Sequence, residues 1–564
     1  MDTSSYATRA ILRQDHAKAL GAFYTDARAA EFIAWWAIRS PQDTVMDPSF
    51  GAGVFLEAAC RRTIELGGRP AHSVFGVEID PRVHSQVSRQ LRTQYQLVPR
   101  NLLLKDFFEL DSPPTQALDA VIGNPPFIRY QRFSGDTRKR ALNRARESGV
   151  PLSNLTSSWA PFVIHAVSMI RPGGRLAMVV PFEIGHAAYA RPVLEYILKS
   201  FGAVTLLTFH ERLFPELNED TMLLLGEGKG STSTELLWRE VPGPDHLPQI
   251  QRTETLPLHA TIGIDGAPLS EGRSRLIEYF IPSRARELYR ALRHTAATHS
   301  LGELADVGIG YVTGDNGFFH LSPQEVGLWN IPGTFLRPAV KRGRALRGLR
   351  FTYEDLLQSL DSGEAAYLLY IPPGAELPES VQRYLTDGEH RGVDEAYKCR
   401  SRSPWYSVPH VHEPQAFLSY MSGTTPRLVA NDAGAVAPNT LHVVRIRLQN
   451  SVTADILSAL WQTSLTQLSV EIEGHALGGG MLKLEPTEAE NVVVPRCQLP
   501  NGSLMELAAE LDAMIRSNEN VAARARADKV LLQDAMGLTA SECELLESAA
   551  RILRARRQKR TSRG

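Results

Sequence analysis

Short apolar runs alternate with helical stretches through residues 44–228, and that alternation constrains the fold more than any other feature of the chain. The runs are TVMD (44–47), SVFGVEID (73–80), LLLKD (102–106), LDAVIGN (118–124), RLAMVVP (175–181), VTLLTFH (204–210) and TMLLLGEG (221–228). They are nearly continuous in apolar residues, as strands covered on both faces must be. Between them lie VFLEAACRRTIEL, PRVHSQVSRQLRTQ and a helical stretch at 159–170 that ends at Pro172-Gly173-Gly174. Strand–helix alternation of this kind predicts an α/β fold with an open, doubly wound sheet. Residues 211–220 are too few for a helical crossover, so the last two strands are predicted to pair antiparallel.

The character of the chain then changes. The reading divides it into a first domain over 1–240, a mixed α+β domain over 241–502 rich in Gly, Pro and aromatic residues, and a helical segment over 503–564 with a basic tail. With 564 residues, 43% hydrophobic and 22% charged, such a chain can bury several cores. No apolar run approaches the roughly 20 residues of a membrane span, and the first residues carry no apolar secretory stretch. Cys60, Cys399, Cys497 and Cys543 are scattered without metal-ligand spacing. These features predict a cytoplasmic protein that holds no metal and contacts no membrane, and a monomer is expected.

The net charge of -1 does not by itself announce a nucleic-acid partner, but its distribution is uneven. Basic residues cluster at 129–146, at Arg337, Lys341, Arg342, Arg344, Arg347 and Arg350, and in RILRARRQKRTSRG at the C-terminus. Any one cluster is compatible with a solvated face; three in a neutral protein suit a surface that tracks phosphates.

Three acids stand at the ends of successive predicted strands. Asp47 is followed by Gly51 and Gly53, glycines that allow a tight turn and close approach to a ligand. Glu78 ends the second strand, where a carboxylate can accept both hydroxyls of a ribose. Asp106 ends the third, placed to accept from an adenine amino group. Singly, each acid could be a helix N-cap; jointly they line the crevice where open α/β sheets bind ligands. The turn does not complete Gly-x-Gly-x-x-Gly, which favours a nucleoside without a pyrophosphate.

Asn124-Pro125-Pro126-Phe127 ends the fourth strand. An exocyclic base amine is a weak nucleophile because its lone pair is delocalised into the ring. Two acceptors on its N–H bonds, the Asn124 side-chain oxygen and the Pro125 carbonyl, would restore a tetrahedral nitrogen. Consecutive prolines fix φ and hold the carbonyl with little reorganisation. Phe127 offers a face on which a base can stack. No strong general base is needed, and rate comes mainly from positioning.

Ile122-Gly123-Asn124-Pro125-Pro126-Phe127 resembles the catalytic motif of amino-group DNA methyltransferases. The order of motifs, from Gly21-Ala22-Phe23-Tyr24-Thr25 through the glycine turn to the catalytic run and a long C-terminal half, is similar to the γ group of N6-adenine DNA methyltransferases, the TaqI-like, type II restriction-modification kind. The resemblance implies a Rossmann-like class I methyltransferase sheet with a C-terminal target-recognition domain. It implies S-adenosyl-L-methionine as cofactor and duplex DNA as partner, and it leaves room for a separate restriction endonuclease acting on the same site. Tyr24 and Thr25 would help hold the methionine part of the cofactor. Asp47, Gly51 and Gly53 would form the pocket floor, Glu78 would bind the ribose with Ile79 against the adenine ring, and Asp106 with the Phe107 backbone would read the adenine edge. Phe214, in Leu213-Phe214-Pro215, would stack with Phe127 on a base rotated out of the duplex. Arg337, Lys341, Arg342, Arg344 and Arg347 would follow DNA phosphates. Ser49-Phe50 stands where the family often has Ala-Cys, and Phe127 where Tyr is commoner.

Two other substrates share this chemistry. N4 of cytosine is the first, although that group usually begins its motif with Ser or Asp rather than Asn. A protein glutamine is the second, although those enzymes lack a long second half. The absence of a Pro-Asp…Glu-x-Lys arrangement predicts methylation without cleavage.

Overall fold

The computed structural model describes residues 26–559 apart from 116, 186, 215–219, 253–260, 448–451, 478–479 and 497. Tyr24 and Thr25 lie outside the described residues. The chain forms two compact units that divide between Glu278 and Tyr279.

The first unit is built on one nine-stranded sheet: β1 (Val45–Asp47), β2 (Val74–Glu78), β3 (Leu102–Leu104), β4 (Leu118–Gly123), β5 (Ile170–Pro181), β6 (Phe201–Phe209), β7 (Thr221–Lys229), β8 (Glu235–Val241) and β9 (Ile262–Asp265). Their spatial order is β3-β2-β1-β4-β5-β7-β6-β8-β9. β1 pairs parallel with both β2 and β4, and β4 with β5. β7 runs antiparallel between β5 and β6, as the short connection requires. The doubly wound expectation is therefore met. The sheet continues past residue 240, because β8 pairs parallel with β6 and β9 then pairs antiparallel with β8.

Helices α1 (Ala27–Ala37), α2 (Val54–Glu65), α3 (Pro81–Tyr95), α4 (Gly135–Glu147), α5 (Trp159–Ser168) and α6 (Arg191–Ser200) connect and flank the strands. Local chemistry sets their starts. Asp26 caps α1 by accepting the Arg28 N–H at 2.8 Å. Asp80 caps α3 by accepting from Arg82 and Val83 at 2.7 and 3.2 Å, with Pro81 in the first turn. One apolar core joins α1 and α2 to the sheet through Phe32, Ile33, Leu56, Ile122 and Leu223. Strand order reverses between β1 and β4, so the loops that follow these two strands flank the topological switch point.

The second unit contains a five-stranded sheet in the order 305–309, 441–446, 416–419, 428–431, 350–351, and smaller sheets of two and three strands. It also holds the helices Ser464–Glu473, Asn501–Arg516, Asn520–Ala527 and Ala540–Lys559. It is the mixed α+β architecture expected of the second half, and the C-terminal helices share its cores. Among the described residues no helix is long and apolar enough to cross a membrane.

Candidate active site

The cofactor-side loops begin with Asp47. Its side chain is fully buried; Oδ1 accepts the Ser49 N–H at 3.0 Å, and Oδ2 has no hydrogen-bond partner among the described residues. Burial, opposed by the Ser49 amide and helped by the charge of Glu78, pushes the carboxyl up to about 8. Gly123, at φ +150°, makes room for it: a Cβ there would lie 2.8 Å from Asp47 Oδ1.

Glu78 is also buried. Its two oxygens accept the Gly51 N–H at 2.9 Å and the Asp80 N–H at 2.8 Å, which ties the end of β2 to the turn after β1. The α3 cap is Asp80, so Glu78 is not spent on a helix terminus. Gly51 and Gly53 both adopt positive φ, +47° and +81°. Their roles differ. A Cβ on Gly53 would meet Val87 of α3 at 2.6 Å, so this glycine serves helix packing, whereas the Cβ direction of Gly51 is nearly open. Phe50, one of the departures from the family pattern, turns inward; it is accommodated by Gly76, whose Cβ would lie 2.7 Å from the ring.

Asp106 does act as a cap, of the short turn Phe107–Glu109, accepting the Phe108 N–H at 3.1 Å. Its other oxygen accepts from Thr137 and Arg140, each at 3.0 Å, and Arg140 also lies 3.5 Å from Glu109. Arg140 thus pairs with acids at the end of β3. Arg144 is likewise engaged, with Asp111 and Glu147. Phe107 is buried against Phe162 and His165, with ring centres 4.8 and 4.6 Å apart, and burial drops His165 to about 4, leaving it neutral near pH 7. Only the backbone of Phe107 is left to meet a ligand. Ile79 is half exposed at the end of β2.

The Asn124-Pro125-Pro126-Phe127 loop leaves β4 beside these groups. Asn124 Oδ1 is buried and has no hydrogen-bond partner among the described residues. The Asn124 carbonyl accepts from Ser49 Oγ at 3.3 Å, which joins the glycine-turn loop to the catalytic loop. A residue that sequence reasoning missed holds the far end. Ser158 Oγ accepts the Ile128 N–H at 2.8 Å and donates to the Pro126 carbonyl, while the Ser158 N–H donates to Ile128 O at 3.0 Å. Its only sequence signal is its place just before α5.

Phe127 is half-buried and packs against the same apolar core that contains Phe214, which is 5% exposed. The fold thus brings Asp47, Gly51, Glu78, Asn124, Pro125, Pro126 and Phe127 to one end of the parallel strands. In the second unit, the basic cluster is partly neutralised by acids distant in sequence: Arg344 bonds Glu364 at 2.8 Å, and Arg350 lies 2.5 Å from Asp455. Arg347 donates to Gln358, Lys341 to the Asn316 carbonyl, and Arg337 lies over the Tyr370 ring at 5.4 Å. Arg342 is exposed and makes no ion pair among the described residues.

A doubly wound sheet with this loop at its switch point has the architecture of a Rossmann-like class I methyltransferase. Residues 10–214 match the family model described as N-6 DNA Methylase, and residues 273–532 match that of the type II methyltransferase M.Eco57I, C-terminal domain. The two matches together, and the full-length relatives, make the chain similar to N-6 DNA methylases of the type II restriction-modification kind. It is 20% identical over 520 residues to the type II methyltransferase M.AccI of Acinetobacter calcoaceticus, covering 90% of this chain and 92% of that protein. It is 23% identical over 490 residues to M.XamI of Xanthomonas campestris pv. amaranthicola, covering 84% and 85%. Among solved structures, the type IIL restriction-modification enzyme MmeI in complex with DNA is similar in fold. Its TM-score is 0.55 at 14% identity, over 92% of this chain and 73% of that one.

Proposed function

We propose that the chain transfers a methyl group from S-adenosyl-L-methionine to N6 of an adenine rotated out of duplex DNA, as the protective half of a restriction-modification system of the TaqI-like γ group. The observation that carries this reading is Asn124 Oδ1, a buried acceptor without a partner among the described residues, beside two consecutive prolines. An acceptor already stripped of water is ready for the N–H of an incoming amine and costs nothing to desolvate when the substrate arrives.

The residues present suit the cofactor. Asp47 offers a buried carboxyl oxygen with no cation or donor on it among the described residues, which suits a ligand that carries positive charge and draws off the proton. Glu78 retains lone pairs on both oxygens for ribose hydroxyls. Ile79 presents an exposed apolar surface for an adenine ring. Tyr24 and Thr25 keep the methionine-side role that the family resemblance gives them.

S-adenosyl-L-methionine, when bound, supplies an electrophilic methyl group. Asn124 Oδ1 and the Pro125 carbonyl accept the two amine hydrogens, localising the lone pair on nitrogen. Ser158 and Ser49 fix the loop from its two sides. Phe127 and Phe214 hold the extruded base, and the amine proton leaves to water after transfer. Arg337, Lys341, Arg342, Arg344 and Arg347 are assigned to phosphates, and Arg342, exposed and without an ion pair among the described residues, is the strongest of these.

Nucleoside mass spectrometry of DNA incubated with pure protein and cofactor tests the proposal. N6-methyladenine is the expected product; N4-methylcytosine would move the reading to the cytosine enzymes, and methylation of protein alone would overturn it.

A further inference from the structure

The methyl-transfer reading leaves the C-terminal helices without a task, yet they help line a cavity in the second unit. It has a volume of about 610 Å³. Four arginines line it, Arg427, Arg524, Arg551 and Arg554, against a single acid, Glu547. Glu547, Arg551 and Arg554 follow one another at i, i+4 and i+7 on helix Ala540–Lys559, hence along one face. Arg524 comes from helix Asn520–Ala527, and Gln467 from helix Ser464–Glu473.

Three buried polar atoms of these lining residues have no hydrogen-bond partner among the described residues: Arg524 Nε, Arg554 Nη2 and Gln467 Oε1. Gln467 is 2% exposed, and its amide nitrogen is already committed to the Trp461 carbonyl at 2.8 Å, which leaves the oxygen as acceptor. Arg524 and Arg554 keep one ion pair each, with Glu547 and Glu471, both at 3.2 Å. Buried polar atoms are rarely left unmatched in a folded protein without a reason. Two guanidinium donors call for anionic oxygens, and one amide oxygen calls for an N–H or O–H. A phosphate joined to a sugar or base supplies both, and guanidinium is the side chain that suits phosphate geometry.

We propose that this cavity binds a nucleotide unit through its phosphate, either from a DNA strand or as a free nucleotide, with Arg524, Arg551 and Arg554 on the phosphate and Gln467 accepting from the base or sugar. This goes beyond methyl transfer and gives the basic C-terminal helix a ligand.

The experiment measures binding of random-sequence duplex DNA across a salt series, and of adenosine monophosphate by calorimetry, to the full-length protein and to Arg551→Gln and Arg524→Gln. Arg551 is exposed, so its variant keeps the fold even if Arg524→Gln does not. If DNA is the source, Arg551→Gln binds duplex about tenfold more weakly, and the slope of log affinity against log salt falls by about one. If a free nucleotide is the source, wild type binds adenosine monophosphate, Arg551→Gln loses it, and the DNA slope is unchanged. Wild-type DNA affinity and slope in Arg551→Gln, together with no nucleotide binding by wild type, overturns the proposal.

Discussion

Ser158 and Ile128 hold each other reciprocally: the Ser158 hydroxyl accepts the Ile128 N–H at 2.8 Å, and the Ser158 N–H donates to the Ile128 carbonyl at 3.0 Å. The same hydroxyl donates to Pro126, so one side chain fixes the exit of the catalytic loop. Ser158→Ala removes two of these three bonds. The expected result is a fall in kcat of about tenfold to a hundredfold, from loss of positioning, with cofactor affinity nearly unchanged. Single-turnover kinetics beside cofactor titration reads both; a loss confined to cofactor affinity counts against the assigned role.

Asp47 gives a pH dependence whose sign is fixed. Burial raises its carboxyl from 3.8 to about 8. The fold therefore favours the neutral acid. That contribution to stability is full below pH 3.8 and is lost as pH rises through about 8. A cationic ligand favours the carboxylate instead. Cofactor binding at pH 7 is expected to release a proton, and affinity to rise toward pH 8. Calorimetry in two buffers of different ionisation enthalpy detects the release; identical heats in both would contradict the assignment. Asp47→Asn should stabilise the free protein at pH 8 and abolish cofactor binding.

Phe214 shares its core with Phe127, so the choice of substitution matters. Phe214→Ala in so buried a place costs about 3–5 kcal/mol and would confuse folding with function. Phe214→Leu keeps most of the volume and removes the aromatic face. It is expected to keep the melting temperature within a few degrees and to weaken capture of an extruded base. The fluorescence of a substituted adenine analogue in duplex DNA reports that capture, and a wild-type signal would pass the role to another aromatic.

Much of this site is written locally in the chain. The strand-end acids, the glycine turn and Asn124-Pro125-Pro126-Phe127 were legible because each is local: residue type, spacing and strand end lie within a few positions. The antiparallel β6–β7 pair was legible from the length of its connection. β8 and β9 were not, since their polar content does not alternate cleanly and their pairing depends on strands far back in the chain. The Ser158 clamp spans 30 residues and leaves no motif. The arginines at 140 and 344 look free in sequence, but acids well separated from them complete their charge in the folded units.

The most direct test of the central claim combines Asn124→Ala with nucleoside analysis. The wild-type protein should place methyl groups on adenine N6. Asn124→Ala should bind S-adenosyl-L-methionine with nearly unchanged affinity and form that product at a rate lower by about two to three orders of magnitude, the scale of one lost preorganised contact to the reacting centre. Near-normal N6-methyladenine formation by Asn124→Ala would contradict the account.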